Sequence, residues 1–186
     1  MTITLNGTTG ITTPALDSVA PFSSADMPAG SVIQVVSVTK TNVFSVTNSD
    51  FVDVTGLSIS ITPSSATSKI FVIAHVHLDS TVGGYTNPWR LTRNSTPLAI
   101  GDANGSSRQA TGGGTSVYTA GPLQGVHQSA FYLDSPSTTS STTYKVQVST
   151  YKNDAGTTYV NRGYNDTGAT NEARYSSGIT LMEIAG

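Results

Sequence analysis

The chain has 186 residues, of which 11% are charged, a formal net charge of −2 at pH 7 and no cysteine. This length fits one domain with a hydrophobic core of its own, and the lack of cysteine excludes disulfides, thiolate metal sites and cysteine nucleophiles. The weak negative charge offers no basic field to a phosphate backbone, so we expect no nucleic-acid partner.

Residues 1–29 predict an extended N-terminal arm rather than part of a sheet. Ile3 and Leu5 alternate with polar residues, but glycine and proline then interrupt the chain repeatedly up to Gly30. Proline has no N–H for a strand ladder, so such a segment is typical of a linker or an edge. The sequence has neither the pattern of a signal peptide nor an apolar run of about 20 residues, so we expect cytoplasmic synthesis and no membrane insertion.

Residues 30–186 predict one β domain. Period-2 alternation and short β-branched runs bounded by turn residues recur, and no long segment has helical periodicity. Leu57, Ile59 and Ile61 share a face, and the segment 70–78, apolar on both faces at its start, indicates a buried central strand. The predicted strands are residues 32–40, 42–46, 51–54 leading through Gly56 into 57–62, 70–78, 89–93, 98–101, 126–134, 144–151, 159–162 and 179–184.

Two long segments rich in small polar residues separate these strands. Residues 101–125 and 163–178 predict long loops on a rigid scaffold, and the first contains the glycine run 112–114. About ten short strands with long loops are typical of an antiparallel β-sandwich or jelly roll. A propeller or a solenoid would need a repeat of fixed period, which the sequence lacks.

Both ends of the chain resemble known virion proteins. Residues 3–11 (ITLNGTTGI) are similar to a segment recurrent in tail-fibre and other virion structural proteins of tailed phages, notably marine and cyanobacterial ones. Residues 177–184 (SGITLMEI) resemble the closing strand of the jelly-roll heads on such fibres. The order GSVIQVV, a central strand ending near His77, FYLDSP and YKVQV resembles the jelly roll of the C1q or tumour-necrosis-factor (TNF) type, which forms trimers.

This resemblance implies a homotrimeric structural protein of the virion, made in the host cytoplasm. The implied function is a short tail fibre or fibre tip. Residues 1–29 would attach to another virion protein of the tail or capsid, through Ile3, Leu5 and Ile11. The distal loops would contact a glycan or protein of the host surface. In such a trimer, four central-strand residues line either the sandwich core or the three-fold contact, namely Phe71, Ile73, Phe131 and Leu133.

Two alternatives to a tail fibre stay open. The chain is short and, unlike a typical fibre, has no collagen-like, coiled-coil or β-helical shaft, so a capsid decoration or head-fibre (cement) protein is one alternative. A free, lectin-like carbohydrate-binding domain is a second alternative, from a different class of protein. The number of copies per particle separates the first two functions, and a monomer that binds glycans would indicate the third.

Aromatic residues in the loops are the candidates for receptor contact. Their rings bury a large area at little entropic cost, and neighbouring arginines add polar contacts. For Trp89, packing in the core or between subunits is an equal alternative. The candidates are Tyr85, Trp89, Arg90, Tyr118, Tyr164 and Tyr175.

Histidines on one strand are weak candidates for a metal site. His75 and His77 share a strand face with Asp79, and His127 on another predicted strand lies within reach. Imidazoles at this spacing can bind a divalent metal, but no third ligand is adjacent in the sequence. Polar packing on a covered face or at a subunit contact is the favoured interpretation, so we expect no metal and no cofactor.

No motif in the sequence predicts catalysis. The serines lack a G-x-S-x-G turn, and the glycine run 112–114 lacks the lysine and the strand–helix context of a phosphate loop. Hydrolysis of a glycoside needs two facing carboxylates, and the sequence has only two glutamates, Glu172 and Glu183. Pairs of aspartates stay open as an alternative, but the sequence favours a protein that is not an enzyme.

Overall fold

The computed structural model describes residues 26–81, 86–115, 125–150 and 156–186. Within these ranges the chain forms eleven β-strands and no α-helix. Serine, threonine and asparagine disfavour helices, while the β-branched and aromatic residues between them suit a pleated surface. The strands are β1 (Val32–Lys40), β2 (Phe44–Val46), β3 (Val52–Ile61), β4 (Lys69–Ser80), β5 (Thr86–Arg93), β6 (Thr96–Leu98), β7 (Gly112–Thr115), β8 (Val126–Asp134), β9 (Thr142–Val148), β10 (Thr158–Val160) and β11 (Ser177–Ile184).

These strands form two antiparallel sheets that pack face to face. The larger sheet has the order β1-β11-β4-β10-β2, and β8 pairs with the opposite edge of β4. The smaller sheet has the order β3-β9-β5-β6, and β7 also pairs with β5. Contacts of β1 with β3 and of β7 with β8 curl the sheets into a half-barrel. The prediction of an all-β, antiparallel sandwich of jelly-roll type is confirmed.

The inward faces of the two sheets make one hydrophobic core. Leu57, Ile59 and Ile61 of β3 share this face, as their alternation predicts. Removing a large apolar side chain from water contributes about 1.5–3 kcal/mol, so this core dominates the stability of the fold. Its fully buried members include Ile70, Val72, Val76, Leu78, Trp89, Leu91, Tyr144, Val146, Ile179 and Leu181.

β4 is the central strand of the larger sheet, as predicted, but only one of its faces is fully covered. Ile70, Val72 and Ala74 point into the core and are buried. Phe71 and Ile73 lie on the outer face and are partly exposed. The prediction that both faces are buried is therefore wrong for this chain on its own, because the outer face has no second layer over it among the described residues.

β3 is one strand where the sequence predicts two segments. Gly56 lies within it at φ +88°, and the pairing with β9 shifts register between Asp53 and Ser58. A left-handed residue inside a strand is typical of a bulge, and glycine adopts it without a Cβ clash. The chain therefore bends at Gly56 and continues.

The hairpin after β5 turns earlier than predicted. Asn94 adopts φ 53°, and β6 begins at Thr96 rather than at residue 98. Pro97 of β6 then lies opposite Thr92 of β5. Among the strands that the structure describes, β6 pairs only with β5, and proline is tolerated in such an edge strand because no inner ladder needs its missing N–H.

The glycine run 112–114 forms strand β7, where the sequence predicts a loop. β7 pairs with β5 and places Gly112 opposite Trp89. A Cβ built on Gly112 would lie 2.6 Å from Nε1 of Trp89. Glycine is thus needed here because the indole passes directly over the backbone.

We expect the substitution Gly112→Ala to lower the free energy of unfolding by about 1–3 kcal/mol, because the added methyl group overpacks the indole. Gly101→Ala is the matched control, since no heavy atom lies within 4 Å of its added Cβ. It should change stability by about 0.5 kcal/mol or less. Urea unfolding followed by the fluorescence of Trp89, the single tryptophan, measures both. Equal losses in the two variants would contradict the close-packing role of Gly112.

The start of the described domain is tied to its end. The Gly30 N–H donates to the carbonyl oxygen of Ala185 at 2.8 Å, and the Ala185 N–H donates to the carbonyl oxygen of Ser31 at 2.8 Å. Met27 lines a cavity beside Ala185. The last residues of the predicted arm, 26–29, therefore lie against the sandwich, and residues 1–25 are outside the described part.

Candidate functional site

The outer faces of the two sheets differ in chemistry. On the larger sheet, successive residues of β1, β11, β4 and β8 meet in register across four strands. One row across these strands is Val35, Met182, Phe71 and Leu133, and the next is Ser37, Thr180, Ile73 and Phe131. We call the six apolar residues of these two rows the outer patch.

Much of the outer patch is open to solvent. The exposed fraction is 66% for Phe131, 54% for Val35 and 48% for Leu133. Successive residues of β8 point to opposite faces of the sheet, and both faces carry apolar residues. Ala130 and Tyr132 pack on the core, while their neighbours point outward. A contiguous apolar surface of this kind marks an interaction site, because scattered single residues are the norm on a monomer.

The outer face of the smaller sheet is polar. Asp53 of β3 accepts hydrogen bonds from Nζ of Lys145 and Nε2 of Gln147, both at 2.7 Å. Ser58 and Ser60 also lie outward on β3 and are exposed. The polar groups of this face bond to water and to one another. Of these two outer faces, only that of the larger sheet therefore favours contact with another apolar surface.

Charged and titratable side chains bound the outer patch at its two ends. At one end, Lys69 pairs with Ile184 of β11. At the other end, His75 follows Ile73 on the same face of β4, and His77 lies directly opposite His127 of β8. The two rows between these ends contain no charged residue, which lowers the cost of removing them from water.

The three histidines and a tyrosine form one cluster of stacked and tilted rings. The ring centroids of His75 and His127 are 5.3 Å apart, and those of His77 and His127 are 6.3 Å apart. Tyr175 lies over His77 with centroids 3.6 Å apart and ring planes within 11°. Gly125 and Gly178 make room for this stack, since a Cβ at either would lie within 3 Å of an imidazole carbon.

Burial lowers the pKa of His77 to about 4, and the neighbouring His127 adds to this effect. The same two causes lower the pKa of His75. His77 is only 3% exposed, and its Nδ1 is without a hydrogen-bond partner among the described residues. Their lowered pKa values therefore favour the neutral form of His75 and of His77.

A hydrogen-bonded junction holds the tyrosine-bearing segment against the larger sheet. Asn161, at φ 65°, donates from its side chain to the carbonyl oxygen of Lys40 at 2.8 Å. Ser177 Oγ donates to Oδ1 of Asn161 at 2.6 Å and accepts from the His77 N–H at 3.1 Å. The Tyr175 N–H donates to the carbonyl oxygen of Asn161 at 3.1 Å, so the same junction positions Tyr175 two residues before β11.

The segment 162–175 is held by its own ion pairs. Arg174 donates two hydrogen bonds to Asp166, at 2.7 and 2.6 Å, and Arg162 lies 3.5 Å from the same carboxylate. Glu172 accepts N–H bonds from Thr167 and its two successors. A loop with these contacts presents a defined surface rather than a variable one.

Asp79 links this segment to β4. Its carboxylate accepts the N–H of Ser80 and the N–H of Tyr164, both at 2.7 Å. Burial raises the pKa of Asp79, against these two hydrogen bonds and the positive charge of Arg162, which lower it. Although its N–H is held in this way, Tyr164 is 41% exposed.

The predicted receptor-contact residues have different positions. Trp89 is fully buried in β5 and packs in the core, so the prediction that it contacts a receptor is wrong for this fold. Arg90 is partly buried and its guanidinium lies 3.5 Å from the ring centroid of Phe51. Tyr164 and Tyr175 are each 41% exposed and lie on the same segment.

Several predicted residues lie outside the described part of the chain. These are the receptor-contact candidates Tyr85 and Tyr118 and the attachment candidates Ile3, Leu5 and Ile11.

The histidine prediction is confirmed in its geometry. His75, His77 and Asp79 share the outer side of β4, and His127 does come into contact with both imidazoles. Across the ranges the structure describes, no three His, Cys, Asp or Glu side chains form a group that could hold a metal ion. The rings of His75 and His127 are stacked, whereas those of His77 and His127 are tilted by 48°.

Sequence reasoning anticipated part of the outer patch. Phe71, Ile73, Phe131 and Leu133 were predicted to line either the core or a subunit contact, and the structure places all four on the outer face. Val35 and Met182 were missed. Each of them is an apolar residue on the face of β1 or β11 that does not point into the core. A strand whose outer face is simply exposed to water does not require an apolar residue there, so this pattern could have revealed them.

The described residues include no helix long and apolar enough to span a membrane. No protein-family model matches the chain, and no curated protein matches it.

Proposed function

We propose that the chain is a homotrimeric structural subunit of a phage particle, a short tail fibre or fibre tip that attaches by its N-terminal arm and contacts the host surface by its loops. The outer patch supports self-association. The resemblance of residues 3–11 and 177–184 to virion proteins supports a place in the phage particle, and the resemblance of the strand order to the C1q or TNF jelly roll supports three copies.

The single observation behind the self-association is an apolar, uncharged surface on one sheet and a polar one on the other. Each large apolar side chain moved fully out of water contributes about 1.5–3 kcal/mol, and three of the six in the outer patch, Val35, Phe131 and Leu133, are about half exposed or more. Closed cyclic symmetry covers the patch on every copy at once. A monomer would leave Phe131 and Leu133 in water permanently.

The adhesive part of the proposal rests on the segment 162–175. Tyr164 and Tyr175 offer exposed rings, and the side chain of Arg174 is 55% exposed while Asp166 fixes its direction. Rigid aromatic and guanidinium groups of this kind suit a glycan or a protein surface. Three copies of a weak site gain avidity without strong binding at any one of them.

We expect a chain without residues 1–25 to remain a folded trimer and to be absent from assembled particles. All the described contacts of the sandwich, including those of Met27 and Gly30, are retained in this truncation. Sedimentation equilibrium gives the mass, circular dichroism gives the fold, and mass spectrometry of purified particles gives incorporation.

The control for this truncation is the full chain with Ile3→Asp and Leu5→Asp, which should be excluded from particles to the same degree if these two residues add a strand to a neighbour. A full chain that is monomeric at micromolar concentration would contradict the proposal. The number of copies in each particle then distinguishes the tail from the head, because a decoration protein occupies many more positions than a fibre.

A further inference from the structure

Two partly exposed arginines, Arg90 and Arg108, lie along the segment that leads into β3. Arg90 belongs to β5, and the residues on either side of it are buried in the core, so its side chain points to the outer face of the smaller sheet. Its guanidinium carbon lies 3.5 Å from the ring centroid of Phe51. Nη1 of Arg108 donates to the carbonyl oxygen of Ser49, two residues before that ring, at 2.8 Å.

Uncharged partners hold both guanidinium groups in place. The ring of Phe51 covers the flat face of Arg90 and leaves the N–H groups at the edge of the guanidinium plane. Nη1 of Arg108 also donates to Oγ of Ser149 at 2.9 Å and to the carbonyl oxygen of Thr150 at 2.8 Å. Side chains that are fixed in this way lose little freedom when a ligand binds them.

These two arginines differ from the other three of the chain in having no ion pair. Each of the others pairs with an aspartate, and these pairs are Arg93–Asp134, Arg162–Asp166 and Arg174–Asp166. Neither Arg90 nor Arg108 forms an ion pair with any residue that the structure describes. Nε of Arg90 is buried and has no hydrogen-bond partner within the same part of the chain. Donors of full positive charge are therefore left without an anion.

The two positive charges also act on each other. Burial lowers the pKa of Arg90, and the charge of Arg108 adds to this effect. Burial lowers the pKa of Arg108 as well, while the exposed carboxylate of Asp50 opposes that change. The next carboxylate, Asp53, already accepts hydrogen bonds from two side chains of its own sheet. An added anion would relieve the repulsion between the arginines.

We propose that Arg90 and Arg108 form a binding site for an oxyanion, either the carboxylate of an acidic sugar or a phosphate group on a glycan. Guanidinium N–H groups lie in a planar fork that matches the oxygens of both groups. A neutral sugar offers no charge to these donors. The site goes beyond the proposed function and does not need the trimer, because both arginines belong to one chain.

NMR titration of the full chain at pH 7.0 and low ionic strength tests this inference with three probes. Sodium glucuronate supplies a carboxylate, glucose 1-phosphate supplies a phosphate group, and methyl glucoside supplies neither. We expect at least one of the two anions to shift the Nε–H resonances of Arg90 and Arg108 and the amide of Phe51 to saturation. The anion that binds more tightly identifies the source of the oxyanion, and added salt should weaken its binding.

The variant Arg90→Gln keeps a polar side chain at this position but removes the charge and the planar fork. It should weaken binding of the better anion at least about tenfold, the loss expected for one charge-assisted hydrogen bond. Lys145→Gln is the matched control, because it removes a positive charge from the same outer face that is already paired with Asp53. Its affinity should stay within about twofold of the native value. If Arg90→Gln does not fold, the site-resolved shifts of the native chain decide instead.

Three results would overturn this inference. They are no saturable shift of either arginine with both anions, equal shifts with methyl glucoside, and equal losses of affinity in Arg90→Gln and Lys145→Gln. Because the site is complete in one copy, these results leave the proposed function as it stands. A full chain that is monomeric but binds an anion here would contradict the proposed function and support this inference.

Discussion

The substitution Asp134→Ala should lower the free energy of unfolding by about 2–4 kcal/mol, because it removes a buried carboxylate that binds a buried hydroxyl and a guanidinium whose side chain is 26% exposed. Asp134 is 3% exposed at the end of β8 in the larger sheet. Its carboxylate accepts Nη1 of Arg93 at 2.7 Å and the hydroxyl of Tyr144 at 2.6 Å, both from the smaller sheet. Without it, the buried hydroxyl loses its partner and the guanidinium loses its counter-charge.

Tyr144→Phe separates the two parts of this network. The phenyl ring keeps the packing of a fully buried side chain, and Asp134 keeps its contact with Arg93. Only the hydroxyl and one charge-assisted hydrogen bond disappear, so we expect a smaller loss, of about 1–2 kcal/mol. The order of the two losses tests whether the carboxylate joins the sheets.

Asp53→Ala is the control for charge removal. Asp53 forms an ion pair with Lys145 at the same 2.7 Å, but its side chain is 47% exposed. An exposed pair contributes about 0–1 kcal/mol, so this variant should unfold close to the native chain. Urea unfolding of all three variants at one protein concentration, followed by Trp89 fluorescence, gives the comparison. A loss at Asp134 no larger than that at Asp53 would contradict the network.

The sequence predicted the architecture well where local patterns and burial agree. Strands β1 and β8 match their predicted bounds, because β-branched and aromatic residues alternate and turn residues flank them. It failed where a long-range contact decides the conformation. β7 is a strand of three glycines and a threonine, and it forms by pairing with β5 beside the indole of Trp89, a long-range contact that no local pattern encodes.

The candidate site could be predicted only in part for a related reason. Alternation shows that Phe131 and Leu133 share one face of β8, but not whether that face is inside or outside. The pairing of β4 with both β8 and β11 assembles the patch, and pairing partners are not encoded locally. For Trp89 the same ambiguity had the opposite outcome. A lone tryptophan beside a loop can pack in the core or lie on the surface, and the structure places this one in the core.

Phe131→Asp should convert the associated protein into folded monomers. The ring is 66% exposed on the isolated chain and lies opposite Ile73 in the second row of the outer patch. In a cyclic assembly every copy would place a carboxylate against apolar surface, which costs far more than the lost contact because no cation lies in the two rows. We expect the dissociation constant to rise by at least about 100-fold, which corresponds to about 2.7 kcal/mol.

Ser58→Asp is the matched control for this substitution. It adds the same charge to an exposed strand position, but on the polar outer face of the smaller sheet, where Lys145 lies opposite. Its sedimentation should match that of the native chain, and both variants should retain the native circular dichroism and the buried environment of Trp89. Because the mutated ring is mostly in water in a monomer, a Phe131→Asp chain that unfolds, or one that still sediments as a trimer, would show that the outer patch is not the surface through which copies meet.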